Sequence, residues 1–244
     1  MIYKLDRTSP KPLYLQLEEI IRNQIDNKEL VIDQVIPSEN ELCNHSGLSR
    51  MTVRHVLTRL VNDGLLYRVP GKGTFVAAPK ITTAPITQMG IREQLEAMGY
   101  ETETTVVDKK LDKATRRIAE NLKISEGDPV YYLERLRYAN NEPLSLHATY
   151  IPVTLCSFLF EKDLEKEPLC DILDREYGII AKRGEETLES IGTNERESEL
   201  LEVKKDFHML LLEYVMYSQN DVPFEFSKVI FRGDRIKLRF EFTR

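Results

Sequence analysis

Behind Pro12, apolar residues recur at three- and four-residue steps: Leu13, Tyr14, Leu17, Ile20, Ile21 and Ile25. That is the spacing of one helix face, and Pro12 suits an early helix position, where its missing N–H would be unpaired anyway. An amphipathic helix is expected, ending near Asn27–Leu30. Pro37 precedes Ser38, and Ser38 with Glu41 makes the S-x-x-E pattern that caps a second helix. Gly47 stops this helix, and Ser49 can cap a third in which Val53, Val56, Leu57, Leu60 and Val61 keep helical spacing until Gly64. Two short strands, Leu65–Val69 and Thr74–Ala77, are expected around the turn Pro70-Gly71-Lys72-Gly73.

Ala77–Gln88 holds Pro79 and Pro85 and has no helical period, the mark of an extended, semi-rigid connector. Beyond it the chain repeats itself at an offset of 79: Arg117, Glu120, Leu122, Leu133, Glu134, Tyr138 and Asn141 return as Arg196, Glu199, Leu201, Leu212, Glu213, Tyr217 and Asn220. Each copy predicts a short helix (Lys113–Leu122; Asn194–Leu201), a strand (Val130–Tyr138; Met209–Tyr217), a turn and a returning strand (Leu144–Ile151; Phe224–Phe231). Neither copy can hide an apolar face alone, so one antiparallel sheet with helices on one side is expected, with a cleft where the copies meet. The chain then divides into a first domain at 4–78, a linker at 79–88 and a second domain at 89–244, an α+β protein overall.

Charge sharpens this division. The formal net charge of the 244 residues is −6, which by itself argues against a nucleic-acid binder. From Met1 to Lys80, however, 11 Lys and Arg face 9 Asp and Glu, and from Ile81 onward 23 face 31, so the balance is +2 and then −8. Within Arg50–Lys80 the cations Arg50, Arg54, Arg59, Arg68, Lys72 and Lys80 face Asp63 alone. No apolar run approaches the ~18–20 residues of a membrane span. The N-terminus also lacks signal-peptide character, so a cytoplasmic protein is expected. Cys43, Cys156 and Cys170 fit no disulfide framework or zinc spacing, and reduced structural thiols without a metal or cofactor are the expectation.

Two helices joined by a tight glycine turn, the second basic near its N-terminus, have the layout of a helix-turn-helix. The start of such a helix offers backbone N–H groups to phosphate, and an arginine there can meet guanine O6 and N7. Glycine at a hairpin tip lets the backbone approach a groove while Lys72 supplies charge. Ser38, Ser49, Arg50, Thr52, Arg54, His55, Gly71 and Lys72 are the candidate DNA-contacting residues that this layout offers. The competing reading is a solvated basic face on an ordinary helical domain. In the second domain, Arg135 and Arg137 share one strand face, with Ser145 and His147 alternating on the next strand and Glu225 in the second copy. Two adjacent arginines repel unless an anion or carboxylate satisfies them. Either a small anionic ligand does so, or an internal ion-pair network with Glu134, Glu213 or Glu225; His147 alone also fits a satisfied structural histidine.

Ile36-Pro37-Ser38-Glu39-Asn40-Glu41-Leu42, Gly47-Leu48-Ser49-Arg50-Met51-Thr52-Val53-Arg54, Asp63-Gly64-Leu65-Leu66 and Gly71-Lys72-Gly73-Thr74-Phe75-Val76 together resemble the winged helix-turn-helix of GntR-superfamily bacterial transcription regulators. The resemblance implies DNA contacts at Arg50, Thr52, Arg54, Gly71 and the position of Asn40, where the family usually carries Arg. Glu134-Arg135-Leu136-Arg137, Tyr150-Ile151-Pro152, Pro223-Phe224-Glu225 and Phe231-Arg232-Gly233-Asp234-Arg235 resemble the UTRA ligand-sensing domain of the HutC subfamily, a chorismate-lyase-like fold. This implies effector contacts at Gly90, Ile91, Arg92, Arg135, Arg137 and Glu225, to which the strand alternation adds His147 as a candidate. Gly90-Ile91, His147 and Pro168-Leu169-Cys170 stand where members that bind amino-sugar phosphates commonly have Ser-Phe, Glu and Ser-Leu-Tyr.

The expectation is a homodimeric, ligand-responsive regulator, a repressor released from a palindromic double-stranded DNA operator by a small anion such as a sugar phosphate. Two alternatives are a winged-helix protein-interaction module, which leaves the basic cluster idle, and a lyase-like enzyme, for which neither a nucleophile elbow nor an HExxH run is present.

Overall fold

The computed structural model describes residues 3–86 and 89–241 and divides into two compact units, Met1–Lys80 and Ile81–Arg244. The first unit contains α1 (Leu13–Asp26), α2 (Glu39–Ser46), α3 (Arg50–Asn62) and the antiparallel hairpin β1 (Leu66–Val69) and β2 (Gly73–Val76). Its helix boundaries follow the chemistry of their termini. Ser38 Oγ accepts from the Glu41 N–H at 3.3 Å while Glu41 Oε2 accepts from the Ser38 N–H at 2.8 Å, a complete capping box. Gly47 ends α2 at φ +69°, a left-handed conformation that favours glycine. Ser49 Oγ then caps α3 through the Thr52 N–H. Leu17 and Ile21 of α1, Leu42 of α2, and Val53, Val56, Leu57 and Leu60 of α3 form one core with Leu66 and Val76 of the hairpin. Each such side chain contributes about 1.5–3 kcal/mol when fully buried.

The second unit runs β3 (Ile81–Thr83), α4 (Ile91–Ala97), β4 (Thr102–Lys113), α5 (Arg116–Leu122), β5 (Pro129–Ala139), β6 (Glu142–Pro152), a 3-10 turn at Leu159–Glu161, α6 (Leu169–Tyr177), β7 (Ala181–Gly192), α7 (Glu195–Leu200), β8 (His208–Ser218), β9 (Pro223–Arg232) and β10 (Ile236–Leu238). Six strands make one antiparallel sheet in the order β4-β5-β6-β9-β8-β7. β3 pairs in parallel with β10, so part of the segment read as a linker is a strand of the second unit. Thr87 and Gln88, at the end of that linker, lie outside the described residues.

The offset of 79 extends further than the sequence pattern revealed, because β4 and β7 stand 79 apart at both ends. They are the outer strands, and β7 is exposed on nearly every residue. A strand with solvent on both faces has no alternation to detect. Lys113, expected to start a helix, ends β4, and Thr115 caps α5. Helices also cover both faces rather than one. Ile91 and Leu95 of α4 and Leu169, Ile172 and Leu173 of α6 pack on the face that carries Leu133 and Leu212, whereas α5 packs on the face that carries Val130 and Val215.

Each repeat helix serves the other copy. Ile118, Ala119 and Leu122 of α5 pack on Val215, Tyr217 and Phe226, and Leu200 and Leu201 at the end of α7 pack with Leu136 and Leu146. The repeated charges follow the same exchange: Arg117 pairs with Glu213, and Arg196 grips both oxygens of Glu134, its Nη1 at 2.9 Å from Oε1. The Glu134 side chain is only 5% exposed, so removing its cation leaves a nearly dry carboxylate. Arg196→Ala should destabilise the second unit by about 1–3 kcal/mol in urea unfolding, the cost of leaving a buried acceptor unsatisfied. Arg116→Ala, which breaks an exposed pair with Glu120, should change little; equal losses would overturn this ranking.

Candidate DNA-reading surface and effector pocket

Four residues apart on α3, Arg50 and Arg54 project from one exposed face. Both direct their Nε toward Glu39 at the start of α2, at 3.4 and 3.1 Å. Beside them the hairpin contributes Arg68, Pro70, Gly71 and Gly73 to an open hollow of about 520 Å³ that also borders Glu39 and Arg54. Gly71 sits at the tip with φ +75° and open space where a Cβ would be, and Lys72 is exposed beside it. Asn40 is exposed as well. Ser38 and Ser49 are occupied as helix caps, and Thr52 Oγ1 lies 2.8 Å from Ser49 Oγ. His55 turns its ring edge-on to Tyr14 of α1. Sequence reasoning overlooked Glu39; its signal was an acidic residue one position before the candidate Asn40 at the start of a capped helix.

The second candidate site is a cavity of about 280 Å³ on the sheet face covered by α4 and α6. Of the predicted effector residues, Gly90, Ile91, Arg135, Arg137, His147 and Glu225 line it together. Arg92 does not. One residue on from Ile91, the helix turns it away, and it pairs with Glu96 at 2.8 Å and donates to the carbonyls of Glu165 and Lys166. Glu93, Cys170, Asp171, Tyr214 and Met216 also line the cavity. Tyr214 and Met216 were legible through the repeat, because they are the 79-residue counterparts of Arg135 and Arg137. The pocket thus straddles the junction of the copies, with two cations on one side and a phenol and a thioether on the other.

Among the described residues, no internal ion-pair network satisfies these arginines. Glu134 and Glu213 are held by Arg196 and Arg117. Glu225 accepts from Tyr214 Oη and Ser227 Oγ, both at 2.7 Å. Among the described residues, Nε of Arg135 and of Arg137 are buried with no hydrogen-bond partner, while Arg137 Nη1 reaches Thr104 Oγ1 at 3.5 Å. Burial, with Arg135 alongside, brings Arg137 down to about 9, so it keeps its charge at neutral pH. Burial lowers Arg135 too, opposed by Glu225. His147, 2.9 Å from Ser145 Oγ, is held well below the ordinary histidine range by burial and then by Arg137 and Arg135. Tyr214 is pushed upward by burial and by Glu225, and remains a donor. Burial also raises the free thiols, Cys156 to about 12 and Cys170 to about 11, which leaves them protonated. Buried donors without partners are rare, and here both belong to arginines that line a space that admits a small molecule.

Comparison with known proteins matches the two units to two described families. Residues 13–76 match the profile of "Bacterial regulatory proteins, gntR family", and residues 97–237 match that of the UTRA domain. The chain is 34% identical to the HTH-type transcriptional repressor NagR of Bacillus subtilis (strain 168) over 231 residues, 95% of each chain. It is 28% identical to the histidine utilization repressor of Pseudomonas putida, over 96% of this chain and 94% of that one. The crystal structure of PhnF from Mycobacterium smegmatis superposes with a TM-score of 0.66 at 28% identity, covering 95% of this chain and 99% of that one.

The depressed basicity of His147 has a definite sign in stability. Unfolded chains take up this proton near pH 6.5 while the folded chain does not, so the fold loses stability as pH falls through that value, with a slope of up to about 1.4 kcal/mol per pH unit. In urea melts from pH 7.5 to 5, His147→Gln should lose that part of the dependence. A variant with the wild-type slope would show that His147 does not carry it.

Proposed function

The chain belongs to the gntR family of bacterial regulatory proteins and carries a UTRA domain, and from that premise we propose that it is a homodimeric repressor, released from a palindromic operator when a small anion occupies the Arg135–Arg137 pocket. It is a transcription regulator and not an enzyme. The observation that carries the ligand reading is the pair of buried guanidinium groups whose Nε atoms have no partner among the described residues. A phosphate or carboxylate supplies the acceptors they lack and offsets their mutual repulsion. Opposite them, Tyr214 Oη, whose proton goes to Glu225 Oε1, and the second oxygen of Glu225 offer acceptors suited to hydroxyl or amino groups. An anionic head with a polyhydroxyl body, as in a sugar phosphate, meets both halves.

The DNA side of the proposal places the N-terminal half of α3 in the major groove, with Arg50, Thr52 and Arg54 toward the bases and Asn40, Gly71 and Lys72 toward the backbone. A route for the signal lies in α4. Gly90 and Ile91 line the pocket at its start. One turn on, Gln94 accepts from the Ala84 N–H at 2.7 Å and donates to the carbonyls of Ala84 and Met89 at 3.2 and 2.6 Å. A ligand that shifts α4 therefore shifts the segment through which the chain continues toward the first unit. Coupling of this kind is typically worth about 1–3 kcal/mol.

Arg54→Ala should cost about 1–3 kcal/mol on the specific operator and relax base preference, as measured by titration of labelled duplexes. Lys72→Ala should weaken specific and random duplexes alike and flatten the salt dependence; unchanged affinities would reject these roles. For the pocket, a thermal-shift screen of sugar phosphates, amino sugars and carboxylates should return an anionic ligand. Arg135→Ala should then abolish ligand-induced release while DNA binding persists, and continued induction in that variant would overturn the anion clamp.

A further inference from the structure

Glu39 stands at the first position of α2, directly after the capping Ser38. Its two oxygens reach two different arginines of α3: Oε1 accepts from Arg54 Nε at 3.1 Å and Oε2 from Arg50 Nε at 3.4 Å. The carboxylate lies beneath them, with its side chain 19% exposed against 66% for Arg50 and 55% for Arg54. Hydrogen bonds and charge, from Arg54 and then Arg50, hold its carboxyl below the usual range, so it is ionised at neutral pH. In both arginines the hydrogen bond to Glu39 is made by Nε, so the terminal Nη pair of each largely exposed side chain is not used in it. That pair is a fork able to meet guanine O6 and N7 together. A carboxylate this close to a DNA-facing surface also repels phosphate, which penalises any duplex that offers nothing in return.

We propose that Glu39 is a positioning residue for sequence reading: it holds Arg50 and Arg54 by their Nε atoms so that both present Nη forks to guanines, and it lowers affinity for duplexes that lack those bases. The proposal rests on α3 being the DNA-contacting helix. It differs from a capping or purely structural role, which would weaken specific and nonspecific binding together through loss of the fold.

The test uses the full chain, a duplex enriched by the wild-type protein from a random-sequence pool, and a scrambled duplex of the same length, each titrated across a salt series. Glu39→Gln should lose about 10- to 150-fold on the enriched duplex, as expected for a lost hydrogen bond to a charged group. On the scrambled duplex its affinity should hold or rise, with a salt dependence steeper by about one charge. Glu39→Asp is too short to span both arginines but keeps the charge, so it should resemble Gln on the enriched duplex and wild type on the scrambled one. A second selection with the Gln variant should return weaker guanine preference. Proportional losses on both duplexes, or an unchanged ratio in both variants, would overturn the proposal. Arg54→Ala separates the two levels: if it also leaves the ratio unchanged, the DNA-contacting assignment of α3 fails, and if it alone collapses the ratio, only the role of Glu39 fails.

Discussion

The pairing of β6 with β9, Ser145–Tyr150 against Phe226–Phe231, joins two copies of one helix-and-strands motif into a sheet that neither could stabilise alone. Three strands with one small helix leave too much apolar surface in water. Once the copies share a sheet, α5 can cover Phe226 while Leu200 and Leu201 cover Leu136 and Leu146. The reciprocal pairs Arg117–Glu213 and Arg196–Glu134 become possible only in that arrangement. These repeated residues are thus partners across the junction rather than within a copy, and each copy supplies the counter-charge the other needs.

The same junction creates the pocket, and there the two copies have diverged. Arg135 and Arg137 face Tyr214 and Met216 at the equivalent positions. Burying two adjacent guanidinium groups without carboxylate partners opposes folding, since each loses hydration and repels the other. A fold tolerates such a cost where surrounding structure over-determines it, and such places tend to be functional. The carboxylates that could have neutralised the arginines are committed elsewhere: Glu225 to Tyr214 and Ser227, Glu134 and Glu213 to the opposite face. The polarity of the pocket therefore comes from where acceptors have been withheld.

In the first unit the dominant constraint is the economy of helix ends. The hydroxyls of Ser38 and Ser49 satisfy backbone donors, which leaves the arginine side chains and the hairpin tip as the groups free to face outward. Glu39 then tempers the cationic surface that these form. The overall charge of −6 conceals this, being the sum of a mildly basic unit and an acidic one. The acidic excess lies where phosphate is not expected to approach, and the anion-seeking groups of the second unit are buried inside it.

Periodicity and termini chemistry in the sequence were enough to place α1, α2, α3 and the wing hairpin, because capping hydroxyls, left-handed glycines and helical apolar spacing are local instructions. The repeat announced itself through Arg117/Arg196 and Glu134/Glu213, and strand alternation put Arg135 and Arg137 on one face. The outer strands β4 and β7 were not legible, since β7 and the second half of β4 are exposed and the first half of β4 is half-buried on both faces, which leaves no alternation imprinted on their residues. Nor could the sequence say that Arg92 turns to Glu96 while its neighbour Ile91 enters the pocket, or that Glu39 reaches two arginines 11 and 15 residues away. Contacts of that kind depend on how helices and sheet are brought together, and on which acceptors are left over when they are. Local rules determined the elements; the tertiary structure decided which charges are answered within the protein and which wait for a ligand.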